Sequence, residues 1–159
     1  MKFKIQDLIT PDQLQNKPAW IKIDYQNLEN IEVHFAGQFA DVIGLGADIY
    51  CALVEEVIDK TLMDNLIEDE CAILKENYFD ETAMMAKLHF AIDEESNISA
   101  KMEGKTLPLA AAYFEFLHEV TEHYNISLDE YFKHIQKNYK KWSKLDKKRV
   151  FQEGITHGQ

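Results

Sequence analysis

Apolar residues recur in this chain at two spacings, and the spacing changes three times. They recur every second residue up to about residue 36, then every 3.6 or so from residue 46. The period of two returns near residue 86, and 3.6 takes over again from 108. A period of two puts side chains on alternate faces of a strand, whereas 3.6 lines them along one side of a helix. In "WIKIDY", Ile21, Ile23 and Tyr25 oppose Lys22 and Asp24; in "IEVHFA", Ile31, Val33 and Phe35 oppose Glu32 and His34. The pattern predicts strands near 2–5, 19–25, 31–36, 86–93 and 98–103, while Met84, Met85, Leu88 and Ile92 satisfy the helical period as well and leave 83–92 open to either reading. Helices are predicted over 46–63, 66–77, 108–124 and 128–142, with a further helical turn in "TPDQLQNKP". The expected fold class is α+β: a small, mainly antiparallel sheet with the helices packed on one face.

A length of 159 residues suits a single domain over 1–159, able to bury one substantial core. The opening "MKFKIQDLITPDQ" lacks the apolar stretch of a secretory signal, and no apolar run is long enough to span a bilayer. A cytoplasmic location and no membrane association are therefore expected. Cys51 and Cys71 make no disulfide framework and stand in no CxxC, so they read as core-filling thiols.

Charge is spread unevenly. The formal balance is −11, but residues 1–132 hold 9 Lys/Arg against 26 Asp/Glu, a balance of −17. Residues 133–159 hold 8 against 2, a balance of +6, and form a basic C-terminal helix and tail. An acidic body opposes approach to nucleic acid, which is not an expected partner. On the 46–63 helix Asp48, Glu55 and Asp59 fall within about 40° of one another. Like charges four apart, as Glu55 and Asp59 are, cost a helix roughly 0.2–0.5 kcal/mol. With Glu56 they read as a solvent-facing ridge available to a basic partner. Lys133, Lys137, Lys140 and Lys144 form the opposing basic surface, beside an apolar stripe of Leu128, Tyr131, Ile135, Tyr139 and Trp142.

No catalytic set assembles from the remaining motifs. "GLGAD" lacks the spacing and the lysine of a phosphate cradle, and its glycines read as permitting a turn. Glu115-x-x-His118 and Glu119-x-x-x-His123 lie opposite the apolar stripe of their helix and should face water. No metal site and no cofactor are expected. The fourteen residues "NISLDEYFKHIQKN" resemble the closing helix of the all-α nucleotide pyrophosphohydrolases. That resemblance implies a Glu-x-x-Asp magnesium pair on the preceding helix, where this chain has Leu109 and Ala112.

The expectation is a non-enzymatic, acidic protein-binding module. An inhibitor of the immunity or anti-defence type, bacterial or phage, would neutralise a basic protein partner by charge complementarity. Two alternatives stand beside it. One is a metal-dependent nucleotide hydrolase using Glu55, Glu56 and Asp59; the other is a structural or assembly subunit that forms homo-oligomers.

Overall fold

The computed structural model describes residues 2–9, 17–27, 30–69, 85–143 and 155–158. Five strands make one sheet in the order β2-β1-β3-β4-β5. They are β1 (Ala19–Asn27), β2 (Asn30–Ala36), β3 (Ala86–Ile92), β4 (Ile98–Glu103) and β5 (Ile155–Gly158). The first four are antiparallel, and β5 lies parallel to β4. The helices are α1 (Ile5–Leu8), α2 (Phe39–Glu56), α3 (Lys60–Glu68), α4 (Thr106–Tyr124) and α5 (Leu128–Trp142). The chain is thus α+β, with helices on one face of a largely antiparallel sheet.

Alternation decides which face the helices take. Ile21, Ile23 and Tyr25 of β1 and Leu88 and Phe90 of β3 are buried beneath α2 and α4, and Met102 of β4 is buried as well. Their neighbours Trp20, Lys22, Lys87, His89 and Lys101 point the other way and are exposed. α2 is apolar almost all round, so it must be covered on every side. The sheet covers one side and α5 packs on the other.

Several boundaries depart from the sequence reading. α2 starts at Phe39, seven residues early, and "GLGAD" is helix rather than turn. Gly46 is needed there for close approach. A Cβ at Gly46 would lie 2.2 Å from Tyr131 Oη and 2.6 Å from a Phe116 ring carbon. The approach lets Tyr113 Oη donate to Gly46 O and Tyr131 Oη to Ile43 O, both at 2.8 Å. At its other end α2 stops at Glu56, and Asp59 caps α3 by accepting from Leu62 N at 3.1 Å. The break expected between 63 and 66 therefore falls earlier in the chain, at 57–59, because Asp59 supplies the cap. Residues 70–77 of the expected helix, Cys71 and the turn at 10–16 lie outside the described residues.

The expected strand at 2–5 contracts to one bridge, Phe3 to Ile126, followed by the single turn α1. Phe3 N donates to Asn125 O at 2.8 Å, and Ile5 N donates to Glu130 Oε2 at 2.9 Å. Ser127 stands three residues before Glu130, the spacing of a capping box, and caps α5 by accepting from Glu130 N at 3.0 Å. α4 spans Thr106–Tyr124 and α5 Leu128–Trp142, close to the expected 108–124 and 128–142.

Candidate functional site

The acidic ridge is taken up largely inside the molecule. Asp48 is half-buried between α2 and α5 and hydrogen-bonds Asn138. Burial pushes its carboxyl up to about 7, against the pull of that hydrogen bond. Tyr139 Oη donates to Glu55 Oε1 at 3.1 Å. Asp59 is exposed but spends an oxygen on the α3 cap, and Glu56 is exposed. Asp48 and Glu55 therefore correct the expectation of a solvent-facing ridge: their line of the helix faces α5, and the single-helix wheel could not show which helix would cover it.

A polar seam continues from that line. Tyr50 Oη donates to Asp64 Oδ1, and Lys60 Nζ donates to Asp64 Oδ2 at 2.6 Å and to Gln136 Oε1 at 3.0 Å. Gln136 Nε2 completes the group by donating to Tyr50 Oη at 3.1 Å. Lys60 Nζ also stands 5.3 Å from the centre of the Tyr139 ring. Burial, then the neighbouring Asp64, raises the Tyr50 hydroxyl far above the ordinary phenol range, so it serves as a donor and not as a base. Cys51 is pushed up to about 12 by burial and then by Asp48. A thiol held so firmly protonated is no nucleophile. The i,i+4 pair Lys60–Asp64 was visible in the sequence. Tyr50 and Gln136 join it only through tertiary packing, so the seam was not.

Beside the seam, α3 and α5 enclose an open pocket of about 320 Å³ lined by Ile67, Glu68, Leu128, Asp129 and Phe132. Ile67 is buried, Leu128 and Phe132 are half-buried, and Glu68 and Asp129 are exposed. Apolar walls below two carboxylates suit a lysine or arginine side chain, whose methylenes take the walls while the cation meets the acids. Asp129 already meets Lys133 Nζ at 3.1 Å, with both side chains well exposed. Lys137 and Lys140 are exposed on the same helix, and Lys144 lies outside the described residues.

Of the acids and histidines of α4 expected to face water, Glu115 is half-buried and the others are exposed. His118, Glu119, Glu122 and His123 are exposed, and His118 Nε2 lies 3.5 Å from Glu122 Oε1. Among the described residues no group of three His, Cys, Asp or Glu stands where it could hold a metal ion. Glu55, Glu56 and Asp59 do not converge: the first turns to α5, the last to α3. Leu109 and Ala112 are buried in α4 under a sheet, which separates this fold from the all-α pyrophosphohydrolases. Among the described residues no helix is long and apolar enough to cross a membrane. No family model, curated protein or solved structure matches the chain.

Proposed function

We propose that the chain is a non-enzymatic protein-binding module that engages a basic partner, in the manner of an immunity or anti-defence inhibitor. The observation that carries this reading is the acid-rimmed apolar pocket between α3 and α5. It replaces the Asp48–Glu55 ridge as the anchor point and leaves Glu56 and Asp59 as outlying acidic contacts. Leu62, exposed on α3, adds an apolar contact on the same helix as Glu68. A charge of −11 steers a basic protein toward the molecule before any contact forms. Capture from the native host on immobilised chain, repeated with Glu68→Lys/Asp129→Lys, tests the reading. The expected result is a basic protein retained by the parent chain and bound roughly 10- to 100-fold more weakly by the variant. Lys133→Ala frees Asp129 and is expected to strengthen the same binding slightly. Equal retention by parent and double variant would refute the pocket as anchor.

A further inference from the structure

The open face of the sheet, opposite the helices, carries its charges in bands across the strands. Strand register aligns His34 of β2, Lys22 of β1, His89 of β3 and Lys101 of β4 in one row. The next row reads Glu32, Asp24, Lys87 and Glu103. Directly opposed like charges destabilise a sheet. Yet Asp24 faces Glu32, and Lys22 has no carboxylate in its row. Across β1, β3 and β4 the second row alternates, Lys87 standing between Asp24 and Glu103, so Asp24 with Glu32 is the like-charge pair of that row. Among the described residues an ion pair joins the two bands, Lys101 Nζ to Glu103 Oε1 at 2.9 Å. On either side of the bands the face turns apolar. Trp20 is 40% exposed next to the basic row, and Met85, 58% exposed, lies one position beyond the Tyr25–Ala86 pair past the acidic row.

We propose that this face binds the same face of a second copy about a two-fold axis running across the strands between the two rows. Each strand then lies over its counterpart in reverse. Lys22 meets the partner's Asp24, His34 meets Glu32 and Lys101 meets Glu103. Lys87 comes over His89, a position without a carboxylate. Trp20 comes over the row that holds Gln26 and Met85. The interface is isologous, so every complementary contact occurs twice. Other occupants fit less well: a polyanion on the basic row meets the acidic row one step away, and a polycation meets the reverse. Strands spaced about 4.8 Å apart give four strands and four rows a footprint of roughly 500 Å² per copy. About 1,000 Å² in total is the low end for a specific contact, so the pair is weak, micromolar rather than nanomolar, and salt-sensitive. The inference does not rest on the basic-partner reading, since the α3–α5 pocket belongs to the helical side.

Sedimentation equilibrium of the full chain reads the association, with circular dichroism and thermal melting confirming that each variant is folded. The wild type is expected to dimerise reversibly at about 20 mM salt and to dissociate at about 500 mM. Lys22→Glu alone and Asp24→Lys alone place like charges at two symmetry-related points, so each is expected to weaken the dimer at least tenfold. An equimolar mixture of the two variants restores opposite charges at both points and is expected to form a heterodimer about as tight as the wild type. Lys101→Glu with Glu103→Lys repeats the design on another strand, should either first variant fail to fold. A wild type that remains monomeric at about 0.5 mM protein and low salt overturns the proposal. So does a dimer indifferent to Lys22→Glu, or variants that ignore each other when mixed.

Discussion

Asp48 shows how a residue's surroundings reverse its meaning. In the sequence it is one more carboxylate on an acidic helix; in the fold burial raises it to about 7. The sign of its effect on stability follows. The unfolded chain loses the Asp48 proton near pH 3.8, while the folded chain keeps it until about pH 7. Between those values the folded state binds the extra proton, so stability falls as pH rises through the window and stays lowered above it. Asp48→Asn is expected to raise stability at pH 8 by about 1–3 kcal/mol and to flatten the decline between pH 5 and 7. Urea unfolding of parent and variant across that range measures it. His134, lowered chiefly by burial, contributes with the opposite sign in both proteins and cancels in the comparison. Parallel curves would show that Asp48 is already ionised in the fold.

At the scale of elements, caps and glycines account for what could and could not be read. Ser127 followed by Glu130 announced α5, and the structure places its first turn there. Glu130 itself turns from its own cap to Ile5 N, a partner 125 positions away that local spacing cannot reveal. Asp59 was taken for a member of the ridge when it is the first word of a new helix. Asp59→Ala is expected to cost about 1 kcal/mol, read as a lower urea midpoint with unchanged slope. A variant as stable as the parent would mean that α3 needs no cap. Gly46 sits inside a helix for a different reason. Glycine disfavours a helix interior by up to about 1 kcal/mol. That local preference is overridden where two buried tyrosines reach the α2 backbone.

Taken whole, the molecule has two unlike sides, a helical side with a carboxylate-rimmed pocket and a bare sheet with banded charge. Strand positions were legible because each strand displays its own alternation, as Lys22 and Asp24 do between Ile21, Ile23 and Tyr25. The bands were not, since the alignment of Lys22 with His34 and His89 depends on register between strands far apart in the chain. The pocket was hidden likewise, built from residues 67–68 and 128–132. If the two sides act separately, Glu68→Lys/Asp129→Lys should dimerise like the parent. Lys22→Glu should bind the basic partner with unchanged one-to-one affinity while losing any gain from bivalent display. Ultracentrifugation and binding to a sparsely coated surface distinguish these outcomes; loss of both properties in either variant would mean one shared surface.

The tie between Ile5 and Glu130 has a temporal consequence. On the ribosome Ile5 emerges well before Glu130, and the carboxylate that receives its amide is made more than a hundred residues later. Until then the leading turn has no seat, and the nascent chain must carry it unhoused. Closure of that corner therefore waits until the start of α5 has been made.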